Sequence, residues 1–278
     1  MLKLLRHVVE RFPAVAGSYR QLRDYAILHT RTFTPTGYGF SLIAPPGTIA
    51  TVSKLAETRL LNALMRDAEV FVDVGANIGF YTALARSLSC HTIAVEPLSQ
   101  NLRYLYANLL QNGWSDVEVY PVGLSAQPGL AELYGASTGA SLVSGWADAS
   151  KALKRTIPLS TLDVIIGHRF QGRPLLLKID VEGAEHSVLK GASEIMRREP
   201  KPTWLIEICL TEHHPLGMNS HFRDIFDQFW GLGYDVRTAD DERRRISPED
   251  VDSWVRLQRP RFGSQNYWFQ PRAVETSL

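Results

Sequence analysis

The sequence has little of what marks several classes of protein. It contains only two cysteines, Cys90 and Cys209, which is too few for a disulfide framework or a cysteine-rich zinc cluster. Its net charge is only +1, and without a basic excess we expect no dedicated nucleic-acid surface. No apolar run reaches the roughly 20 residues of a membrane span. We therefore predict a soluble protein of the reducing cytoplasm.

The N-terminal segment begins with basic and apolar residues, but charged side chains follow at once, so we expect no signal peptide. Residues 1–30 predict two helical segments with a break near Pro13 and Gly17. The first segment is amphipathic and is expected to pack on the protein, on a partner subunit or over the active site rather than on a membrane surface. Residues 31–52 are rich in Thr, Tyr, Pro and Gly and predict a short β-hairpin region.

From residue 54 onward, short apolar strands alternate with helices. This order predicts an α/β fold with a parallel, doubly wound sheet and right-handed crossovers. We divide the chain into an accessory region, 1–53, and a main domain, 54–278. The predicted helices are 54–66, 80–88, 99–110, 185–197 and 222–232. The predicted strands are 70–74, 92–95, 117–122, 130–134, 156–162, 175–180, 203–208, 234–237 and 265–270.

The run from Val70 to Tyr81 is central to the prediction. Its first half is apolar and suits a strand that is buried on both faces, whereas its second half opens a helix through Gly75 and Gly79. Such a junction directs unpaired backbone N–H groups and the positive end of the helix dipole towards one point. A ligand that carries a carboxylate or a phosphate could bind there; a purely structural turn is the alternative.

Acidic residues end three of the predicted strands, at Asp73, Glu96 and Asp180. Glu96 lies 21 residues after Gly75, the distance at which an acid binds ribose hydroxyls in dinucleotide folds. Asn77 stands where a dinucleotide loop has its middle glycine, which argues against a pyrophosphate. Asn77 could bind a carboxylate or cap the helix, and Asp73 could pair with an ammonium group or organise the turn. The combination favours S-adenosylmethionine over a nicotinamide dinucleotide.

Four motifs together resemble the FkbM family of S-adenosylmethionine-dependent methyltransferases, over roughly residues 55–240. They are Phe71–Tyr81, Val95–Pro97, Thr161–Asp163 and, most specifically, the Leu177–Glu185 run LKIDVEGAE. The resemblance implies a class I, Rossmann-like methyltransferase fold, with a seven-stranded, mostly parallel sheet, helices on both faces and an N-terminal helical and β-hairpin extension. It also implies O-methylation of a sugar, glycolipid or polyketide-type hydroxyl. The cofactor-binding residues it indicates are Asp73, Gly75, Ala76, Asn77, Gly79, Tyr81, Glu96 and Pro97.

The predicted catalytic residues follow the later strands. Asp180 is the first candidate for the base that removes the acceptor's proton. Glu182 is either a second base or a cap on the next helix. Glu207 and His213 complete the set, His213 with its neighbour His214 in a loop. Asp180 and Glu207 could together hold a divalent cation, which we regard as a minority hypothesis because two acids are too few ligands.

Two other functions stay open on the sequence alone. One is a nicotinamide-dinucleotide oxidoreductase, and the other is a non-catalytic Rossmann-like scaffold. For the methyltransferase we expect a small-molecule or glycan acceptor, no nucleic-acid partner, and an N-terminal region that helps to form the acceptor pocket or a homodimer contact.

Overall fold

The computed structural model describes residues 13–30, 32–135, 139–148 and 154–272, with side chains from residue 22 onward. The helices are α1 (Pro13–Thr30), α2 (Thr48–Val52), α3 (Ala56–Leu64), α4 (Phe80–Ser87), α5 (Ser99–Gln111), α6 (Leu162–Ile166), α7 (Glu185–Lys190), α8 (Phe222–Gly231) and α9 (Pro248–Leu257). The strands are β1 (Thr34–Pro35), β2 (Ser41–Leu42), β3 (Val70–Val74), β4 (His91–Val95), β5 (Glu118–Tyr120), β6 (Gly123–Leu124), β7 (Gly129–Tyr134), β8 (Lys154–Ser160), β9 (Leu175–Ile179), β10 (Thr203–Glu207), β11 (Tyr234–Thr238) and β12 (Asn266–Pro271).

Seven strands form one sheet in the order β11-β12-β10-β9-β3-β4-β5. Only β12 runs antiparallel to its neighbours, which confirms the seven-stranded, mostly parallel sheet. The chain builds outward from β3 to β5 and then returns to β9 on the other side of β3. The order therefore reverses between β3 and β9, and ligands of open sheets bind at the carboxyl ends of such a pair.

Both faces of β3 are buried, as its continuous apolar run predicts. Val70, Val72 and Val74 pack on one side in the largest hydrophobic cluster, which also contains residues of α6, α7 and α8. Phe71 points to the opposite side and packs with Leu61 of α3 and other residues of α3 and α4. The alternation of side chains along the strand thus supplies two cores, one on each face of the sheet.

A second, smaller sheet has the order β6-β8-β7. It includes the predicted strands 130–134 and 156–162, which the sequence did not assign to a separate sheet. The second of these strands occupies Lys154–Ser160, two residues earlier than predicted. The predicted loop between the two strands lies partly outside the described residues. This sheet lies beside the cavity described below, because Leu133 of β7 and Leu124 of β6 line it.

Within the described residues, the N-terminal region begins with helix α1, which the expected hairpin follows. Helix α1 continues through Gly17, so the predicted break there is wrong, while the predicted helix over residues 1–12 lies outside the described residues. Strands β1 and β2 pair antiparallel. Asn108 of α5 joins this region to the glycine turn, since its side chain accepts from the N–H of Ile43 at 2.7 Å and donates to the carbonyl of Ile78 at 2.9 Å.

One predicted helix ends earlier in the structure, and another helix was missed. Helix α7 stops at Lys190 instead of continuing to residue 197, and Gly191 follows where an added Cβ would lie 2.2 Å from the carbonyl oxygen of Ser125. Helix α9 was missed, although a capping box between Ser247 and Asp250 marks its start. Within the described residues, no helix is both long enough and apolar enough to cross a membrane.

Candidate active site

A cavity of about 350 Å³ opens at the carboxyl ends of β3, β4, β9 and β10. This volume is in the range of small-molecule sites. One end is formed by the glycine turn and Glu96, and the other by charged residues that follow β9 and β10. The N-terminal half of the chain supplies part of the wall through Pro45, Thr48, Val52, Leu55 and Glu57.

The glycine turn is possible only because two of its residues lack a side chain. Gly75 has φ +82°, and a Cβ there would lie 1.9 Å from the carbonyl oxygen of Asp180. Gly79 has φ +86°, and a Cβ there would lie 2.3 Å from the Leu105 side chain. The first glycine thus lets β3 and β9 approach closely, and the second lets α4 begin against α5.

Most of the backbone N–H groups in this turn donate within the protein. Those of Gly75 and Ala76 donate to the Val95 carbonyl, and that of Gly79 donates to Ala76. Fewer backbone N–H groups are therefore free to bind a ligand than the sequence suggested. Asn77 has φ +53° and lines the cavity. It does not cap the helix, because the residue at the cap position is Gly79.

Glu96 follows β4 and connects the turn to α5. Its carboxylate accepts from the N–H of Asn77 and from the N–H of Leu98, both at 2.8 Å. The residue is buried, and burial raises its pKa to about 7 in spite of these hydrogen bonds. Its neighbour Pro97 also lines the cavity. Glu96 is thus a rigidly placed acid at the edge of the cavity.

Asp73 lies beneath the cavity rather than on its wall. It is 1% exposed, and its Oδ2 accepts from the Thr82 hydroxyl at 2.6 Å. Burial raises its pKa, although the charge of Lys178 opposes this shift. Its Oδ1 is buried and has no hydrogen-bond partner among the described residues. The side chain organises the turn and has one acceptor atom left for a ligand.

Lys178 is a buried cation on β9. It is 2% exposed, and its Nζ lies 2.8 Å from Oδ2 of Asp180 and 4.9 Å from the centre of the Tyr81 ring. Burial alone would lower its pKa, but the charges of Asp180, Glu57 and Asp73 raise it overall. The Tyr81 hydroxyl donates to Glu57, so Tyr81 connects Lys178 to the N-terminal wall.

Asp180 and Glu207 form a pair of acids beside Lys178. Burial would raise the pKa of Asp180, but Lys178 and a hydrogen bond from Glu207 lower it overall. Burial and the charge of Asp180 raise the pKa of Glu207 to about 9. At neutral pH Asp180 is therefore ionised, and Glu207 is protonated and donates to it. The Asp180 side chain is 31% exposed and is open to the cavity.

Glu182 follows two residues later in a left-handed turn, at φ +55°. Its carboxylate accepts from the Trp146 indole N–H at 2.6 Å, and its backbone carbonyl accepts from the Ser141 hydroxyl. Burial, supported by the charge of Asp180, raises its pKa to about 7. The predicted capping role is wrong, because Ala184 is the cap residue of α7 and no side chain caps it.

The histidine that the sequence selected does not reach the cavity wall. The carbonyl of His213 accepts from the N–H of Ala147, and its ring lies 5.9 Å from that of Trp146. The His214 ring lies closer to Trp146, at 4.7 Å. Both histidine rings therefore pack near the Trp146 ring, and neither histidine lies among the cavity-lining residues.

Several site residues were missed by the sequence analysis. Trp146, Ser141 and Glu57 come from segments that are far from the motifs along the chain, and no spacing connects them to Glu182 or Tyr81. Asn101 had a weak signal, since it lies in the first turn of the helix after Glu96. Apolar wall residues that were also missed include Val122, Leu124, Leu133, Ala140 and Leu142.

The residues present fit the cofactor that the resemblance implies. An acid at Glu96 suits ribose hydroxyls, and the free Oδ1 of Asp73 suits a cationic group. By contrast, the pair Asp180 and Glu207 already has a cation, because the Lys178 ammonium contacts Asp180. The geometry gives no support to a metal ion between these two acids.

Solved structures with the same general fold include several methyltransferases. The METTL16 MTase domain is 10% identical, with 85% of this chain and 75% of that chain covered and a TM-score of 0.44. The human methyltransferase 10 domain containing protein is 10% identical, with 90% of this chain and 94% of that chain covered and a TM-score of 0.42. An rRNA methylase from Streptococcus thermophilus is 12% identical, with 76% of this chain and 90% of that chain covered and a TM-score of 0.40. Such low similarity says nothing about the substrate of this chain.

No curated protein matches the chain. The family model described as "Methyltransferase FkbM domain", however, matches residues 73–236, more than half of the chain. The matched region runs from the acid of the glycine turn to β11 and contains both ends of the cavity. The chain belongs to the FkbM methyltransferase family and is an S-adenosylmethionine-dependent methyltransferase with a class I, Rossmann-like fold.

Proposed function

We propose that the protein transfers a methyl group to a hydroxyl of a sugar, a glycolipid or a polyketide-type natural product. The observation that carries this proposal is that one cavity joins the glycine turn and Glu96 to a group of ionisable side chains around Lys178. A cofactor end and a polar acceptor end thus share one enclosed space. A dinucleotide oxidoreductase is less well supported, because Asn77 occupies the middle glycine position of a pyrophosphate loop.

The cofactor would be held by the turn and by the strand that follows it. Glu96 would accept from the ribose hydroxyls, with Pro97 shaping the wall beside it. Gly75, Ala76, Asn77 and Gly79 would hold the methionyl part. Asp73 would act from below through its charge and its free oxygen, and Tyr81 would act by holding Lys178 and Glu57 in place. When bound, S-adenosylmethionine supplies an activated methyl group.

The chain's own contribution is to align the acceptor hydroxyl and to remove its proton. Glu182 is the best base by acidity, because a pKa of about 7 lets it be partly ionised and still hold a proton near neutral pH. Asp180 is fully ionised and is held by Lys178, which suits a group that accepts a hydrogen bond from the hydroxyl and orients it. Glu207 stays protonated, which reduces the repulsion between the neighbouring carboxylates.

The N-terminal region completes the acceptor end. Pro45, Thr48 and Val52 are apolar or small, and Glu57 is the one carboxylate that this region places on the wall. We propose that residues 1–53, with the start of α3, select the acceptor by shape, while residues 54–278 carry the cofactor. A dimer contact through residues 1–53 and a cytoplasmic location both stay predictions.

Binding of the cofactor tests the first half of this proposal. Calorimetry should show one molecule of S-adenosylmethionine per chain and no binding of NADH. Glu96→Ala should abolish this binding while circular dichroism shows a folded protein. Glu69→Ala is a matched control, because Glu69 lies just before β3, at the opposite end from the cavity, and pairs with exposed Arg173. Tight binding of NADH, or unchanged affinity of Glu96→Ala, would contradict the assignment.

Turnover tests the second half. Methyl transfer from labelled cofactor should be screened over sugar, glycolipid and polyketide hydroxyl acceptors, with and without a chelator. With an active acceptor, Glu182→Gln should lower kcat by about 100-fold or more and leave cofactor affinity unchanged. Asp180→Asn should lower kcat less. If the two variants rank in the opposite order, Asp180 is the base; a fully active Asp180→Asn enzyme would remove Asp180 from the mechanism. Transfer only to amines would refute O-methylation, and transfer only to nucleic acid would refute the proposed acceptor classes.

A further inference from the structure

Outside the cavity, two histidines and an aspartate meet on the surface where α7 and α8 begin. We propose that His186, His221 and Asp224 form a zinc site that ties the start of α7 to the start of α8. Each of the three offers one ligand atom, and these atoms all lie within 4.8 Å of one another. The site is independent of the cofactor and acceptor positions proposed above.

The distances suit a tetrahedral ion. Nδ1 of His221 lies 3.1 Å from Oδ2 of Asp224. Two ligands that each lie about 2.0 Å from a tetrahedral zinc ion are separated by roughly 3.3 Å. An ion could therefore replace the proton that these two atoms now share, with little movement. The His186 ring stacks on that of His221 at 3.9 Å and 19°, so its nitrogen needs only a side-chain rotation to become the third ligand.

The surrounding chain holds His221 in position. Its backbone N–H donates to Oδ1 of Asn219 at 3.0 Å, and the Asn219 side chain donates in turn to the carbonyl of Cys209. Asn219 and Cys209 are both buried. One imidazole is thus anchored to the core through its backbone, while Asp224 is carried by the first turn of α8.

The ligand set determines which ion is favoured. Two imidazole nitrogens and one carboxylate oxygen are typical of zinc sites that leave a fourth position for water. Calcium and magnesium prefer sets made only of oxygen. Lys190 lies one turn along α7 and reduces the affinity by repulsion, but it is not a ligand.

A metal bound here would restrain the two segments that carry Glu182 and Glu207 of the cavity. Helix α7 begins directly after the turn that carries Glu182, and α8 ends the loop that starts at Glu207. Helix α7 is only six residues long. An ion shared by the two helices would therefore limit the movement of both turns.

Titration of the untagged, chelator-treated protein with zinc tests the site. The wild type should bind one equivalent by calorimetry, and cobalt in its place should give the visible absorption of a tetrahedral ion. His186→Ala and His221→Ala should each weaken binding by at least about ten-fold, and Asp224→Asn should weaken it as well. His168→Ala is the matched control, since His168 is also an exposed histidine but lies outside the cluster.

All three ligands are on the surface, so the variants should fold, and circular dichroism checks this. Equal zinc binding by the wild type, His186→Ala and His221→Ala would overturn the proposal. So would loss of the one-equivalent site in His213→Ala with no loss in His186→Ala. Hydrogen exchange tests the clamp itself: zinc should slow exchange in residues 182–190 and 219–226 of the wild type and leave His186→Ala unchanged. Equal exchange with and without zinc in the wild type would refute the clamp.

Discussion

The two ends of the cavity are built in opposite ways. The cofactor end comes from one continuous stretch, Val70–Pro97, and its groups are already hydrogen-bonded within the protein, as the pairing of Glu96 with two backbone N–H groups shows. The acceptor end collects Glu57 from α3, Lys178 and Asp180 from β9 and the turn after it, and Glu207 from β10. There the charge of each group depends on the others, because three acids surround one buried ammonium.

This difference indicates how each end responds to change. At the cofactor end, shape is decisive, since the turn tolerates no additional atom at Gly75. At the acceptor end, proton occupancy is decisive, since Glu207 holds a proton that Asp180 does not. The following substitutions test this contrast, from the largest expected effect to the smallest.

Gly75→Ala should have the largest effect. A Cβ at this position would meet the Asp180 carbonyl oxygen at 1.9 Å, with φ at +82°, so β3 and β9 would have to separate. We expect a loss of about 3 kcal/mol or more in unfolding free energy and loss of cofactor binding. Gly113→Ala separates the two causes, because Gly113 also has positive φ but has no atom within 4 Å of an added Cβ. It should lose only about 1 to 2 kcal/mol in urea denaturation. Equal losses would show that the close approach is unimportant.

Glu207→Gln should change how stability depends on pH. The pKa of Glu207 is raised on folding from 4.5 to about 9, so the folded state keeps a proton that the unfolded state has released. Unfolding free energy should therefore fall as pH rises from about 4.5 to 9. Glu96 and Glu182 also make the unfolding free energy fall with rising pH, but only up to about pH 7. The decline between pH 7 and 9 therefore reports on Glu207.

The variant should flatten the decline between pH 7 and 9 in urea denaturation. Glu194→Gln, at an exposed position away from the cavity, should keep the wild-type slope. A slope that is the same in all three proteins would mean that Glu207 does not hold the extra proton.

Trp146→Phe should shift the activity profile with little loss of structure. The indole N–H stabilises the charged form of Glu182, and hydrogen bonds to charged groups contribute about 1.5 to 3 kcal/mol. Without it the pKa of Glu182 should rise, and the acidic limb of kcat against pH should move up by about one pH unit. Trp230→Phe, on α8, is the control. An unshifted limb would remove Glu182 as the titrating base.

Asp241→Asn should have the smallest effect. Asp241 pairs with Arg59 of α3 at 2.6 Å, but both side chains are exposed, so solvent screens the pair. We expect no measurable change in unfolding free energy or in cofactor affinity. A clear loss of either would show that α3 depends on this pair for its docking and not on buried contacts such as those of Leu61.

Much of the main domain was predictable from local sequence. The seven strands of the large sheet all lie within the predicted segments or one residue beyond them, because each is a short apolar run bounded by turn residues. The glycine turn and Glu96 also lie where the sequence places them, directly after β3 and β4, and both line the cavity.

The errors have physical causes as well. Helix α7 was predicted too long because residues 191–194 have helical character, whereas the close approach of Gly191 to Ser125 ends the helix. Helix α9 was missed although Ser247 and Asp250 form a capping box that the sequence displays. His213 was selected for its loop position after β10, but its loop turns it towards Trp146 and away from the cavity.

The sequence by itself determined the family, the order of strands and helices, and the glycine turn at the end of β3, because these depend on neighbours along the chain. Only the tertiary structure decided the charges at the acceptor end. It brought Glu207 beside Asp180, left a proton on Glu207 and directed Trp146 to Glu182, and these effects depend on distance and burial among residues that are far apart in the chain.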